Sequence, residues 1–344
     1  MATSARPLVM RCGAFGDMVL LTPLIRTLAA RFGAPVDIVS SGGWTAPLLA
    51  GQPGVGTLYL VKSRRRPYLV SPDQWRLVTA LRERGVGPTW FLDPGRIGLK
   101  LLARAGIKSE WRVDEEHFPR LPGEHYLERF ARMAAATPLA LGAATLDVEP
   151  VSGTTLEVGA DARQDLVRWL AARALDQHPL LLVQAGNKRT MRRGDRQRAS
   201  NTKYWPEDHW AAVVTALRRL HPAHRVLLLG VPSEAELNED IRARVADPDV
   251  VNVATELPMP RLLALLERAD ALVSVDTGPA HAAAALGLPE IVLFGAADPA
   301  LYRPRGAAGA AVICLAPATP GPLEGLELER VLAALPTLPL RSAS

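Results

Sequence analysis

The chain has 344 residues, of which 48% are apolar and 22% are charged, and its formal net charge is +5. This length predicts two domains that each bury a core, and the balance of apolar and charged residues excludes an intrinsically disordered chain. The two cysteines, Cys12 and Cys314, lie too far apart in sequence for a metal-ligand spacing and indicate reduced thiols of a cytosolic protein.

Neither a targeting segment nor a membrane span is predicted. Charged residues near the N-terminus, among them Arg6, Arg11 and Asp17, interrupt the apolar core that a signal peptide needs. The longest uncharged stretch, 306–323, is broken by Gly and Pro. We therefore expect a cytoplasmic protein.

Strand-like and helix-like segments alternate along the first part of the chain. Strands are predicted at 7–12, 36–41, 57–62, 89–93 and 111–113, and helices at 17–31, 46–50, 72–84, 96–105 and 124–136. Repeated βα units of this kind specify a parallel sheet with helices on both faces. A stretch rich in Pro, Gly, Ala and Thr, 137–159, then breaks the pattern and indicates a linker.

The same pattern restarts after the linker. Helices are predicted at 160–175, 207–220, 233–245, 260–269 and 280–287, and strands at 179–184, 224–230, 250–254, 271–276 and 290–295. The fold we predict is α/β, with two Rossmann-like doubly wound domains, 1–159 and 160–344, that face each other across a cleft. Such sheets bind ligands beyond the carboxyl ends of their strands.

A glycine loop follows the first predicted strand and leads into a helix. Gly13-Ala-Phe-Gly16 is typical of an anion cradle, because the free N–H groups of a helix N-terminus attract phosphate. Asp17, however, places a negative charge where the phosphate would lie. The loop matches neither the G-x-G-x-x-G of a dinucleotide site nor a P-loop. From the residues alone, Asp17 is an ordinary first-turn acid that the helix dipole favours.

Positive charge is concentrated in the segment 187–203, which holds seven Lys or Arg and one Asp. A nucleic-acid-binding protein would usually spread its charge over a face, so no nucleic-acid partner is predicted. A solvated surface loop and a clamp for a phosphorylated ligand remain equally good interpretations of this segment.

A second candidate site follows the strand predicted at 271–276. Asp276 ends the strand, Thr277 and Gly278 form a turn, and Pro279 suits the first position of a helix. Free N–H groups at this turn would hold a diphosphate, with His281 one turn into the helix. Separately, Asp276 is better explained as a helix cap and His281 as a core residue. Together they favour a binding site.

No metal site and no cofactor are predicted. The histidines show no metal-ligand spacing, and Asp247-Pro-Asp249 is better explained as a turn than as the D-x-D of metal-dependent sugar transferases.

Four motifs resemble glycosyltransferase family 9, the ADP-heptose:lipopolysaccharide heptosyltransferases. They are D-T-G-x-x-H-x-A-A-A-x-G-x-P from Asp276 with the LFG that follows it, G-D-x-x-x-x-x-P from Gly16, Lys-x-Trp-Pro from Lys203, and the weaker GVPSEAE from Gly230. The resemblance implies a GT-B fold whose first domain binds the acceptor and whose second binds the donor nucleotide. The basic segment is longer than the short phosphate loop that the family pattern leads us to expect.

The resemblance also implies roles for individual residues. Asp17 matches the catalytic base, near an acceptor site that includes Gly13 and Gly16. The residues that match the donor site are Lys203 at the phosphate, Glu234 at the nucleoside, and Asp276, Thr277, Gly278 and His281 at the sugar and diphosphate. The glycines near Asp17 are then expected to leave room for a sugar.

The function that follows is inverting, metal-independent transfer of a heptose or related sugar from an ADP-sugar to a lipopolysaccharide-core or other glycan acceptor. A carboxylate deprotonates the acceptor hydroxyl, and cations with helix N-terminal N–H groups stabilise the departing diphosphate. The partners are the ADP-sugar, a glycan or glycolipid acceptor and the cytoplasmic face of the inner membrane. A nucleotide-sugar epimerase of GT-B type and a non-catalytic nucleotide-sugar-binding protein remain alternatives.

Overall fold

The computed structural model describes residues 6–62, 67–93, 95–142, 148–187 and 201–341. The chain divides into two compact units, Met1–Thr154 and Thr155–Ser344. The division falls inside the predicted linker stretch 137–159. Each unit is a parallel α/β domain, which confirms the predicted fold class of two Rossmann-like domains in tandem.

The first domain contains a five-stranded parallel sheet in the order β3-β2-β1-β4-β5. Its strands are β1 (Leu8–Met10), β2 (Val36–Ser40), β3 (Val55–Leu60), β4 (Thr89–Phe91) and β5 (Arg112–Asp114). Its α-helices are Phe15–Leu20, Thr22–Phe32, Thr45–Leu49, Pro72–Arg84, Arg96–Arg104 and Tyr126–Ala135, and short 3₁₀ turns include Tyr68–Val70 and Glu115–His117. β1 and β4 are buried throughout, so the centre of the sheet lies in the core.

The single helix predicted over 17–31 is wrong in one respect, because two helices occupy this region. The first ends at Leu20 and the second begins at Thr22. Pro23 has no backbone N–H to donate four residues back. The hydroxyl of Thr22 instead donates to the carbonyl of Val19 at 2.8 Å. The short first helix is therefore an independent turn that carries Asp17.

The second domain contains a six-stranded parallel sheet in the order β11-β10-β9-β6-β7-β8. Its strands are β6 (Leu180–Gln184), β7 (Arg225–Leu228), β8 (Val250–Asn252), β9 (Ala271–Val275), β10 (Glu290–Leu293) and β11 (Val312–Leu315). Its α-helices are Ala160–Ala172, Glu207–Leu220, Ala235–Val245, Met259–Arg268, Gly278–Ala285, Pro299–Tyr302 and Leu328–Ala334. The sequence did not predict β11.

The segment that carries Lys203 is fixed against the end of β10. The carbonyl oxygen of Thr202 accepts the N–H of Leu323 at 2.9 Å. A Cβ atom at Gly295, directly beyond Phe294, would lie 2.0 Å from the same oxygen. Only glycine permits this approach, so the glycine of the LFG motif sets the position of the backbone next to Lys203.

Among the helices in the described part of the chain, none combines the length and the apolar composition that crossing a bilayer would need.

Candidate active site

Asp17 lies in the first turn of the helix Phe15–Leu20, just beyond the carboxyl end of β1. Its carboxylate accepts the N–H of Ala14 at 2.7 Å, which fixes the side chain on the loop. Its side chain nevertheless keeps 37% of its surface exposed. A carboxylate that is both held in place and accessible can accept a proton from a bound molecule.

The space beside Gly13 is occupied by Asp17. A Cβ atom at Gly13 would lie 2.5 Å from the Cβ of Asp17 and 2.9 Å from its Oδ2. The absence of a side chain at Gly13 therefore leaves room for the carboxylate of Asp17, and contact between Gly13 and an acceptor sugar stays a prediction. Gly16 lies in the same short helix as Asp17.

Arg11 connects Asp17 to three other elements of the first domain. Its Nη2 lies 3.6 Å from Asp17 Oδ1, and its side chain is only 9% exposed. It also donates to Glu115 Oε2 and to the hydroxyl of Tyr126, each at 3.3 Å, and to the carbonyl of Leu92. Burial alone would lower the pKa of Arg11, but the tyrosine and the two carboxylates around it act against burial, and the pKa is raised. Arg11 is thus a permanent cation beside Asp17.

A cavity of about 430 Å³ opens at this side of the sheet. Its lining combines cations, carboxylates and apolar rings: Arg11, Arg96, Arg129, Asp93, Glu115, Glu116, Phe91, Leu99, Tyr126 and Gly95. Arg129 holds Glu115 at 2.7 Å. Arg96 begins the helix Arg96–Arg104 and forms no ion pair with any described carboxylate. The cavity can therefore accept a polar molecule beside Arg11, which pairs with Asp17.

Sequence reasoning did not select Arg11, Glu115, Tyr126 or Arg129. Arg11 and Glu115 directly follow β1 and β5, whose carboxyl ends lie at one edge of the sheet. Polar residues at strand ends were therefore an available signal. Nothing in the sequence, however, indicates that residues separated by about a hundred positions form one ionic network.

In the second domain, Lys203 and Asp276 form a close ion pair. Lys203 Nζ lies 2.6 Å from Asp276 Oδ2 and donates to the backbone carbonyl of Asp276 at 2.7 Å. His281 Nε2 lies 3.8 Å from the other carboxylate oxygen. Burial alone would raise the pKa of Asp276, but His281 and the ammonium of Lys203 hold it at about 2. Asp276 is therefore ionised at neutral pH.

The helix Gly278–Ala285 begins directly beside this ion pair. It starts at Gly278, ahead of the predicted start, so Pro279 occupies its second position and not its first. Thr277 precedes it in extended conformation, and its hydroxyl donates to the carbonyl of Val275 at 3.1 Å and does not cap the helix. The first N–H groups of the helix thus have no intrahelical partner. Together with Lys203, whose charge is balanced by Asp276, they offer N–H donors to a phosphate.

Glu234 lies deep in the loops that follow β6 and β7, with 3% of its surface exposed. Its Oε2 accepts the N–H of Val231 at 2.9 Å and the amide of Gln184 at 3.4 Å. Its Oε1 is buried and accepts no hydrogen bond within the described residues. Burial raises the pKa of Glu234. An acceptor oxygen without a partner suits a ligand hydroxyl or amine.

These donor candidates share one edge of the sheet. β6 lies between β7 and β9, so the loops with Glu234 and Asp276 leave the same edge of the sheet on either side of the loop that follows β6. The structure thus brings Lys203, Asp276 and His281 together next to Thr277 and Gly278, and places Glu234 at the same edge.

Two further features considered in the sequence are the basic segment 187–203 and the Asp247-Pro-Asp249 turn. Residues 188–200 of the basic segment lie outside the described residues. Asp247 and Asp249 both pair with Arg218, at 2.9 and 2.5 Å, and Asp249 also pairs with Arg225. Within the described ranges, no three His, Cys, Asp or Glu side chains come close enough to share a metal ion.

Two Rossmann-like parallel α/β domains in tandem are the architecture of GT-B glycosyltransferases. The chain belongs to glycosyltransferase family 9 (heptosyltransferase), whose sequence profile matches residues 100–320. The protein is therefore a transferase, as the motifs predicted. The matched range includes all the donor candidates and excludes Asp17.

Comparisons with individual proteins agree with this assignment. The chain is 25% identical over 314 residues to lipopolysaccharide heptosyltransferase 3 of Escherichia coli (strain K12), covering 84% of this chain and 82% of that protein. The glycosyl transferase family 9 from Veillonella parvula DSM 2008 shares the fold with a TM-score of 0.77 at 16% identity, over 98% of each chain. The E. coli ADP-heptose lps heptosyltransferase II does so with a TM-score of 0.72 at 22% identity, over 96% of this chain and 98% of that chain.

Proposed function

We propose that the protein transfers a heptose, or a closely related sugar, from an ADP-sugar to a lipopolysaccharide-core glycan, with inversion at the anomeric carbon and without a metal ion. Donor and acceptor are those named for the relatives above. The observation that carries the proposal is the pairing of Lys203 with Asp276 beside the open N-terminus of the helix Gly278–Ala285.

The second domain, 160–344 in our assignment, binds the donor. Lys203 and the first N–H groups of the helix at Gly278 hold the diphosphate, and Glu234 accepts a hydrogen bond from the nucleoside. During transfer the bond from the anomeric carbon to the diphosphate breaks, and its electron pair leaves with ADP. Fixed positive groups stabilise that charge at no cost of reorganisation, which is why a metal ion is not required.

The first domain, 1–159, binds the acceptor. The cavity with Arg96, Tyr126 and Phe91 holds the acceptor sugar, because it offers aromatic rings and a cation that has no ion-pair partner among the described residues. Asp17 takes the proton from the acceptor hydroxyl as that oxygen bonds to the anomeric carbon. Arg11 keeps the carboxylate of Asp17 in position.

Release of ADP from ADP-heptose tests this function. With a lipid A–core acceptor, we expect ADP and a glycosylated product in equal amounts. Without the acceptor, we expect almost no release of ADP. Conversion of the donor to an isomer without acceptor would identify an epimerase. Donor binding with no turnover on any acceptor would identify a binding protein.

We also propose that the reaction takes place in the cytoplasm, at the inner face of the inner membrane, because the acceptor we propose is carried on a lipid.

A further inference from the structure

Three large apolar side chains lie exposed and close together in the first domain. Leu69 is 79% exposed, Val70 is 63% exposed and Trp75 is 44% exposed. The ring of Tyr68 contacts that of Trp75 edge to face, with centroids 6.4 Å apart. We call Leu69, Val70 and Trp75 the apolar patch. Clustered apolar side chains on a surface usually mark a contact with another molecule or with a membrane.

The backbone holds these side chains outward. Tyr68–Val70 is a 3₁₀ turn directly before the helix Pro72–Arg84, and the hydroxyl of Ser71 donates to the carbonyl of Pro67 at 3.0 Å. The buried face of that helix is formed by Gln74, Leu77, Val78 and Leu81. Trp75 lies on its other face. The patch is thus built into ordered secondary structure.

The rim of the patch is basic. Lys62 and Arg76 are exposed, and neither forms an ion pair with a described carboxylate. The guanidinium of Arg104 lies 4.5 Å from the centre of the Tyr68 ring. Apolar side chains with a tryptophan, surrounded by cations, complement the interface of an anionic bilayer, where apolar groups insert and cations meet headgroups.

We infer that the apolar patch docks the protein on an anionic lipid surface. The inference deepens the membrane contact proposed above, and the patch itself is independent of the catalytic assignments. Asp73, at the start of the helix Pro72–Arg84, accepts the N–H of Lys62 at 3.0 Å, so the patch lies near the carboxyl end of β3. Asp17 follows β1 at the carboxyl edge of the same parallel sheet. Docking through the patch therefore brings the acceptor-binding edge of this domain toward the lipid.

Flotation of the full-length protein with vesicles tests the inference. The vesicles are phosphatidylcholine alone or phosphatidylcholine with phosphatidylglycerol. We expect binding to the anionic vesicles only, and weaker binding at high salt because salt screens the cations. Leu69→Ser with Val70→Ser should reduce partitioning at least about tenfold, since two apolar side chains no longer insert. This variant keeps residues 64–66, three arginines outside the described residues, so its net charge equals that of the wild type.

The matched control is Leu139→Ser with Val167→Ser, which alters side chains that are 84% and 63% exposed and lie outside the patch. It should bind like the wild type. Absence of wild-type binding to anionic vesicles, or equal losses in the two double variants, would overturn the inference. Sedimentation velocity provides a further test. A wild-type dimer that becomes a monomer only in the patch variant would also overturn the inference, because the apolar patch would then bind a second copy of the chain. ADP release with a detergent-soluble acceptor is measured separately, so failure of the proposed transfer is distinguishable from failure of docking.

Discussion

Asp17 is fixed by the N–H of Ala14 and by the guanidinium of Arg11, yet more than a third of its side chain is exposed. Asp17→Asn keeps the shape and the hydrogen bond but removes the basic oxygen. We expect donor affinity to stay unchanged while turnover falls roughly 10²–10⁴-fold. The lost helix-dipole interaction is worth only about 0.3–1 kcal/mol of stability, too little to explain such a fall. Single-turnover transfer at saturating donor and acceptor measures the turnover, and a thermal melt measures the stability.

Asp73→Asn is the matched control, because Asp73 also lies in the first turn of a helix and accepts a backbone N–H at 3.0 Å. It should leave turnover with a soluble acceptor unchanged. If folded Asp17→Asn keeps more than about a third of wild-type turnover, Asp17 is a first-turn acid and not the base.

Arg11 is expected to act through Asp17 without touching the substrate's reacting atoms. Arg11→Met removes the cation, and a carboxylate displaced by about 1 Å costs roughly 10–100-fold in rate. We expect kcat to fall by that factor with KM for the ADP-sugar unchanged, and Arg11→Lys to recover part of the loss. A variant with lower melting temperature but normal kcat would show that Arg11 is only a structural residue.

Lys203 and Glu234 are expected to bind different parts of the donor. Lys203→Ala should weaken ADP binding about tenfold to more than a hundredfold, from a lost ionic contact of roughly 1.5–3 kcal/mol, and adenosine binding much less. Glu234→Gln should weaken both ligands alike. Calorimetry measures the affinities for ADP and for adenosine. Arg219→Ala is the control for the lost positive charge, because Arg219 is exposed on the same domain. Unchanged ADP affinity in Lys203→Ala would remove Lys203 from the donor site.

At the level of single elements, β10 begins with a fully buried carboxyl group. Glu290 is 0% exposed, and neither of its oxygens accepts a hydrogen bond within the described residues. Burial raises the pKa of Glu290 well above its usual 4.5. The folded protein therefore holds this proton more tightly than the unfolded chain. The stability contribution of Glu290 is complete below the unfolded pKa and declines as pH rises toward the folded pKa.

Glu290→Gln cannot ionise and should lose this pH dependence. Its stability relative to the wild type should increase between about pH 5 and about pH 8, measured by urea unfolding. Glu290→Met also removes the unsatisfied polar atoms and should gain roughly 1–3 kcal/mol. Glu324 is exposed, and Glu324→Gln is the control, which should change neither the stability nor its pH dependence. A constant difference between Glu290→Gln and wild type across this range would contradict the assignment of a buried neutral acid.

Most elements could be predicted from sequence because their strands are continuous apolar runs that both layers of helices cover. β11 was missed because it is only half-buried and lies in a stretch rich in Ala, Gly and Pro. The break between Leu20 and Thr22 was missed because the apolar periodicity continues across it. The apolar pattern of a sequence indicates which side chains are buried. A break of this kind depends instead on one missing hydrogen-bond donor, the backbone N–H that Pro23 lacks.

For the whole molecule, the two sites differ in how far sequence could predict them. The candidate donor site rests on a contiguous motif from Asp276 to His281, to which Lys203 and Glu234 are added from two other loops. The network around Arg11 joins Glu115 and Tyr126, more than a hundred positions away. Pairing over that distance is set by the order of strands in the sheet, which local pattern does not encode.

The proposed metal independence concerns the complete enzyme, so it is tested on the complete enzyme. Activity should survive saturating EDTA, because the charge on the leaving ADP is met by Lys203 and by the helix N-terminus at Gly278. Asp247 and Asp249, the one D-x-D considered from sequence, are engaged by Arg218. A loss of activity that Mg²⁺ or Mn²⁺ restores would contradict this mechanism.

The ion pair between Lys203 and Asp276 has a consequence for how the enzyme responds to ionic strength. Without donor, the lysine already has a counter-ion built into the protein, 2.6 Å away. In the proposed donor complex the diphosphate replaces one anionic partner of Lys203 by another, so the free energy gained is the difference between two ionic contacts. Added salt weakens both contacts, so ADP affinity should fall less steeply with salt than it would for an isolated surface lysine.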